Sequence, residues 1–433
     1  MIASLSGVRG ILNVDLTLGD VSRFARNFAT AAGSDEVLLA MDSRSTGPAI
    51  ARAVAGSIMS RGVDVLDFGV ISTPALFRES RMRKKPAVMV TASHNEPEFN
   101  GLKFLVDGKG IGKDLFERTV ADEGGLAGPF GKAMIRRTER TTYVDDLVER
   151  YGEGSLEGIT VALDPGGGAA ISHSLKLLRR LGCSVVSLND AYGVFNRRVD
   201  PVADDLQLLR KVVKARGCDI GLGFDCDGDR LVIVDSDGTK RTGDYMLTLA
   251  IRELLSETGE GRVVVSQDTT QAIEEVVGSS GGEVFRSKVG EANVVARMQE
   301  KGARLGGEGS SGGLIDGEFN YCRDSMLAAL VILKALKRKG REVYGSVPSY
   351  HQERVALRLP RTKAIRGIKK LGGKYEDADS TDGTKIRLSR HSWVLLRPSG
   401  TEDLVRVSAE AESRDKAEKI AKSFSTKIKE LSR

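Results

Sequence analysis

Asp225, Asp227 and Asp229 occupy alternate positions in FDCDGDR, residues 224–230. In an extended or gently turning backbone this spacing turns three carboxylates to one side. They repel one another unless a cation joins them, and hard oxygen ligands of this kind suit Mg2+, with phosphate oxygens completing its octahedron. A Ca2+ loop of the D-x-D-x-D type does not fit, because its sixth position is Arg230 where Gly is needed and its twelfth is Ser236 where Glu is needed. An acidic hairpin turn is the plain alternative. Arg230, directly after the cluster, is placed to hold phosphoryl oxygens that a cation leaves uncovered.

A second stretch offers a nucleophile. TASHNEPEFNGLK, residues 91–103, follows the apolar run PAVMV and brings a hydroxyl (Ser93), an imidazole (His94) and an amine (Lys103) into one polar loop. A serine leaving a buried strand presents its oxygen at the carboxyl edge of a sheet, where open α/β proteins place their sites. Ser93 is thus a candidate carrier of a phosphoryl group, with Lys103 or His94 as the base for the attacking hydroxyl. Lys103 can act so only if burial or nearby cations lower its pKa. The same residues also suit an ordinary β-to-α turn that satisfies backbone groups.

Two further loops hold polar groups suited to a phosphorylated sugar. GGEGSSGG, residues 306–313, embeds Glu308, Ser310 and Ser311 among glycines. RPSGTED, residues 397–403, has the fork of Arg397, the hydroxyls of Ser399 and Thr401, and a backbone that can curl its N–H groups around one anion, or form a plain tight turn. Near the start, SGVRG supplies Arg9, a surface charge or a phosphate contact. ALDPGGGAA, residues 162–170, lacks the spacing of either common nucleotide fingerprint and reads as a strand-to-helix turn.

The elements that must position these loops alternate between β and α. Asp20 is expected to cap a helix whose apolar positions Val21, Phe24, Ala25, Phe28, Ala29 and Ala32 recur at helical spacing up to Gly33. Strand-like and helix-like runs then follow in turn through the serine loop. The rhythm restarts at ITVALD and again near Gly243, predicting three successive α/β units with mixed, mainly parallel sheets, distant copies of one design. MLAALVILKAL, residues 326–336, is broken by Lys334 and reads as a buried helix. From about Ser346 short β-runs predict a smaller C-terminal α+β domain with an antiparallel sheet. The expected domains are residues 1–138, 139–240, 241–345 and 346–433, carrying the serine, aspartate, glutamate and Arg397 loops in that order.

A chain of 433 residues with 29% charged and 40% hydrophobic residues is that of a multidomain globular protein. No apolar run is long enough to cross a bilayer, so no membrane partner is expected. A net charge of +6 suits anionic small molecules; with 5% aromatic residues and no interleaved basic stripe, nucleic acid is not the expected partner. Four cysteines without C-x-x-C spacing point to reduced thiols and a cytoplasmic setting. Either a monomer or a homo-oligomer is compatible with these features.

The four loops, in this order and at these separations, resemble those of the α-D-phosphohexomutases: phosphoglucomutases, phosphomannomutases and phosphoglucosamine mutases. The resemblance spans the full chain and implies a four-domain, heart-shaped enzyme with one loop per domain meeting in a central cleft. It implies that Ser93 is the phosphoserine, and that its phosphate binds Mg2+ together with Asp225, Asp227 and Asp229. Lys103 matches the family's lysine in the proton-transfer region, and Arg9 and Arg230 match arginines near the transferring group. Glu308 with Ser310 or Ser311 matches the sugar loop. Arg397, Ser399, Gly400 and Thr401 match the clamp for the non-reacting phosphate, and Lys288 and Gly290 a further substrate-facing loop. The sequence departs from the family at Glu96, where Pro is usual, at Phe99 for Tyr, Cys226 for Gly and Asp403 for Pro. Its sugar loop is one residue longer than in archaeal-type relatives, ends in Gly-Gly, and lacks the histidine of many bacterial members.

The implied reaction moves phosphate between O6 and O1 of a hexose through a bisphosphorylated sugar that turns over in the cleft, with hexose 1,6-bisphosphate as activator. A lid motion of the last domain would exclude water while it turns. The loop pattern leans toward glucosamine phosphate, with a phosphomannomutase/phosphoglucomutase as the alternative. A metal-assisted phosphatase with a serine nucleophile would need neither the distal clamp nor Lys103, and a non-catalytic phosphosugar-binding protein would need no intact serine and metal residues.

Overall fold

The computed structural model describes residues 1–122, 132–138, 140–399 and 403–432. Three sheets repeat one strand order. In the second sheet the central strand Thr160–Asp164 is flanked by Ser184–Ser187 and Ile220–Phe224, all parallel, and Leu231–Asp235 pairs antiparallel outside the last. The third sheet is built identically from Arg262–Ser266, Glu283–Ser287, Leu305–Glu308 and Gly313–Asp316. The first has the same core of Glu36–Met41, Asp64–Val70, Ala87–Val90 and Phe99–Val106, widened to eight strands at its edges.

This repetition explains where the loops fall. The serine loop joins the third and fourth strands of the first sheet, the aspartate loop those of the second and the glutamate loop those of the third. Each loop thus sits at the carboxyl end of a central parallel strand, where the chain reverses into an antiparallel partner. The Arg397 loop follows the same logic in the fourth sheet, which is wholly antiparallel and runs His351–Arg358, Leu404–Ala411, Ser392–Pro398, Thr384–Ser389.

Helices form where expected, with one adjustment. The first, Leu18–Ala32, is capped by Thr17, while Asp20 closes the capping box from the third helical position and Gly33 ends the helix at φ 64°. Thr17 donates and accepts within the same box, so the earlier residue takes the cap. The helix Ser325–Lys339 is buried along most of its length, capped by Asp324 and ended by a basic turn. No helix among the described residues is long and apolar enough to cross a membrane.

One apolar core runs through the first three units, joining residues such as Phe77, Tyr143, Phe224, Met246 and Leu330. The fourth unit keeps its own core around Ile368, Ile386, Val407 and Phe424. Its contacts with the third unit are polar: Gln271 N–H donates to Glu410 at 2.9 Å, Lys385 Nζ to the Gln267 carbonyl at 2.7 Å, and Val289 N–H to Asp382 at 3.0 Å.

The buried face of the helix Ile171–Arg180 carries a pH-sensitive weak point. Burial holds His173 at about 4, and its Nδ1 has no hydrogen-bond partner among the described residues. Between about 4 and the usual value near 6.5 the unfolded chain binds a proton that the folded chain refuses, so stability rises with pH across that window. Chemical unfolding should lose about 3 kcal/mol from this group between pH 7 and pH 4. A His173→Phe variant should show a correspondingly flatter acid limb.

Candidate active site

The serine loop is moulded from below by one arginine. Arg44 is 1% exposed and donates to the carbonyls of Ser93 and Asn95 at 2.7 Å each and of Phe99 at 3.0 Å, as well as to the Glu96 carbonyl. Its Nε pairs with the buried Asp42 at 3.1 Å, and Asp42 accepts from Thr91 Oγ1, which in turn accepts the Ser93 N–H at 2.8 Å. Ser93 itself is fully buried and held at φ 52°, an uncommon conformation for a residue with a Cβ. The loop therefore presents Ser93 Oγ in one direction, 3.3 Å from Asp225 Oδ2 and 3.5 Å from His94 Nδ1.

The three aspartates converge as expected: one oxygen from each lies within 4.8 Å of the others, and all three residues are fully buried. Asp225 uses Oδ1 to accept the N–H groups of Asp229 and Arg230, which leaves Oδ2 facing Ser93. Asp227 and Asp229 each spend Oδ2 on Lys103 Nζ, at 2.7 and 3.0 Å, while their Oδ1 atoms are buried with no hydrogen-bond partner among the described residues. Burying an unpaired carboxylate oxygen is costly. Two such oxygens, on carboxylates that converge with Asp225 next to Ser93 Oγ, suit the hard, all-oxygen donor set that a divalent cation takes. The turn at 162–170 supports this loop, its Ala169 N–H donating to the Cys226 carbonyl at 2.7 Å. Cys226 is buried, its Sγ 3.7 Å from Ser43 Oγ.

Charge on the neighbours follows from this packing. Burial, reinforced by Asp227 and Asp229, pushes Asp225 well above the usual carboxylate range. Burial acts the same way on Asp229 but is overcome by Arg323, Lys103 and Arg230, which hold it below that range. Lys103 does not meet the condition for a base: burial does act downward, but Asp227 and Asp229 outweigh it and keep the amine charged. His94 moves far down, through burial and then Arg230, Arg9 and Arg323, and stays neutral.

A cavity of about 580 Å3 opens over these groups, with residues of all four units around or beneath it. The first unit contributes Arg9 and His94, the second Arg230, the third Gly290, Glu308, Ser310 and Ser311, and the fourth Arg397. Arg9 donates to Asn95 Oδ1 at 2.8 Å and Arg230 to Asp200 at 3.0 Å. Ser399 is buried at the mouth of the fourth loop; Gly400 and Thr401 lie outside the described residues. Lys288 is exposed and does not line the cavity, whereas its neighbours Val289, Gly290 and Glu291 do.

Sequence reasoning missed Arg44 and Arg323. Arg323, on the short segment before the helix Ser325–Lys339, is buried and reaches Asp229 at 2.7 Å, Glu308 at 3.0 Å and Glu291 at 3.4 Å. It ties the aspartate loop to the sugar loop. The available signal was a lone arginine beside the Asp324 helix cap, in a segment with no loop motif of its own. Arg354 and Arg406 also line the cavity, making it strongly cationic against Asp268, Glu291 and Glu308.

Four family descriptions match consecutive parts of the chain: phosphoglucomutase/phosphomannomutase alpha/beta/alpha domain I over residues 2–123, domain II over 141–238, domain III over 242–351 and the C-terminal domain over 355–427. Over its length the chain is similar to a protein of Methanopyrus kandleri named probable phosphoglucosamine mutase, 34% identical over 97% of this chain and 96% of that one. A Pyrococcus abyssi protein of the same name is 31% identical over 98% and 97%. Among solved structures, a phosphoglucomutase/phosphomannomutase family protein from Burkholderia thailandensis superposes with a TM-score of 0.86 at 26% identity, covering 99% of this chain and 98% of that one.

Proposed function

The chain belongs to the phosphoglucomutase/phosphomannomutase family of phosphomutases, and from that premise we propose that it interconverts glucosamine 6-phosphate and glucosamine 1-phosphate through a phosphoserine at Ser93. The observation that carries the mechanism is the convergence of the Asp225, Asp227 and Asp229 carboxylates next to Ser93 Oγ, two of them with a buried oxygen that has no hydrogen-bond partner among the described residues. Ser93, Asp225, Asp227 and Asp229 would hold Mg2+, which when bound neutralises charge on a transferring phosphoryl group.

The protein's own groups supply the rest. The bond from phosphorus to Ser93 Oγ breaks as one forms to the free sugar hydroxyl, and that hydroxyl's proton passes to a base within reach. His94, neutral in this arrangement, is able to accept it, whereas Lys103, held charged by Asp227 and Asp229, would do so only after giving up its own proton. Arg9 and Arg230 line the cavity and would offer positive charge to the transferring group, where positioning and electrostatics dominate catalysis. Glu308, Ser310 and Ser311 offer acceptors and donors to the sugar, and Gly290 orients Glu308 through its N–H at 2.6 Å. Arg397 and Ser399, with Gly400 and Thr401, hold the phosphate that does not react. The polar seam between the third and fourth units allows the last domain to lift while the bisphosphate turns. Hexose 1,6-bisphosphate would prime Ser93.

The preference for glucosamine rests on the relatives' printed names and on the glycine-rich sugar loop. The test is conversion of glucosamine, mannose and glucose 6-phosphates to their 1-phosphates, with Mg2+ and a trace of hexose 1,6-bisphosphate. We expect glucosamine 6-phosphate to give a kcat/KM at least about tenfold above the other two, since a site built to bond one polar substituent rejects analogues that leave its groups unpaired. A higher value for mannose or glucose would make the enzyme a phosphomannomutase/phosphoglucomutase. Release of inorganic phosphate matching substrate loss would make it a phosphatase.

A further inference from the structure

Successive amides in the third unit serve two different loops. Gly290 N–H donates to Glu308 Oε1 at 2.6 Å, and Val289 N–H donates to Asp382 Oδ2 at 3.0 Å. The same Asp382 oxygen lies 3.1 Å from Arg397 Nε. Asp382 belongs to the fourth unit, in the turn before the strand Thr384–Ser389, and is two-tenths exposed. Its neighbour Gly383 sits at φ 87°, and a Cβ there would lie 2.2 Å from the Leu396 carbonyl and 3.1 Å from Arg397 Cγ. The turn is thus pressed against the strand that carries Arg397, and its place there is fixed by a residue only glycine can fill.

We propose that Asp382 is a positioning residue for phosphate capture. It holds the Nε edge of Arg397, leaves the terminal NH groups for the distal phosphate, and does so only when the fourth unit is docked on the Val289 amide. The inference rests on the assignment of Arg397 as the distal-phosphate clamp. A free arginine side chain samples many rotamers, and a partner that fixes its fork before the ligand arrives removes part of the cost of ordering it. The contact also links the clamp to the sugar loop: Asp382 and Glu308 are held by adjacent amides, and Glu308 passes to Arg323 and Asp229 at 3.0 and 2.7 Å. Docking of the last domain and orientation of the clamp become one event.

The test is a double-mutant cycle on the full chain. Glucose 6-phosphate and glucosamine 6-phosphate binding is measured by calorimetry for wild type, Asp382→Asn, Arg397→Ala and the double variant, with kcat and KM for whichever sugar turns over. Asparagine still accepts from the Val289 N–H but brings no negative charge to the guanidinium. Asp382→Asn should therefore weaken binding and raise KM about tenfold with kcat within a factor of about two, and should add nothing to Arg397→Ala. Asp382→Ala, which loses the amide contact as well, should also lower kcat, and Asp382→Glu should recover part of the affinity. Unchanged or tighter binding in Asp382→Asn, full additivity with Arg397→Ala, or a lowered melting temperature with unaltered binding would each overturn the proposal. If wild type binds neither sugar, or Arg397→Ala binds as wild type does, the clamp assignment itself is wrong and this inference falls with it.

Discussion

Ser93→Ala is expected to lose turnover by on the order of 10^4-fold or more, the scale on which removal of a covalent nucleophile acts, while the unfolding midpoint stays close to wild type. The serine makes few structural bonds through its side chain: Oγ reaches Asp225 at 3.3 Å and His94 at 3.5 Å, both long contacts. The positive φ at this position is maintained by the backbone, through the Ser93 N–H bond to Thr91 and the Ser93 carbonyl bond to Arg44. Alanine inherits both. The check is incubation with labelled hexose 1,6-bisphosphate: wild type should retain one acid-stable phosphoryl group per chain and the variant none. His94 Nδ1 is the nearest rival nucleophile, and a phosphohistidine is acid-labile. Label that survives in Ser93→Ala but is lost on acid treatment would move the carrier to His94, and turnover that survives without label would remove the covalent step altogether.

How far the sequence reached depends on whether a residue's role is local. The three aspartates were legible because their spacing alone forces a geometry, and Ser93 because an apolar run ends just before it. The strand-and-helix rhythm was legible because burial on both faces of a parallel sheet imposes it on the sequence. That the serine, aspartate and glutamate loops occupy the same hairpin of three equivalent sheets was not, since strand order is set by pairings between segments far apart in the chain. Arg44 and Arg323 escaped for the same reason. Arg44 bonds residues about fifty positions away and Arg323 reaches Asp229 across 94, so no nearby pattern records either. Lys103 was found, but its charge state was left open: burial and two carboxylates pull in opposite directions, and only the 2.7 and 3.0 Å distances decide which prevails.

Arg44→Met is expected to be the most damaging single change away from the reacting groups. Methionine fills much the same space and supplies none of the donors, so the carbonyls of Ser93, Asn95, Glu96 and Phe99 lose their common partner while Asp42 is left buried. Breaking a buried pair from one side costs about 3–5 kcal/mol, which chemical unfolding should register. The loss should also depend on pH. Burial, only partly offset by Arg44, already raises Asp42 above the usual carboxylate range. Without the arginine that shift grows, so the folded variant keeps a proton that its unfolded chain has released. Its deficit against wild type should therefore be larger at pH 8 than at pH 5. Where the variant remains folded, turnover should fall on the order of 10^2-fold, because a nucleophile displaced by about 1 Å forfeits that much. Arg44→Lys separates the two effects: one ammonium can neutralise Asp42 but cannot reach four carbonyls, so stability should recover more than turnover does. Equal recovery of both would mean that the charge of Arg44, and not its fork, shapes the serine loop.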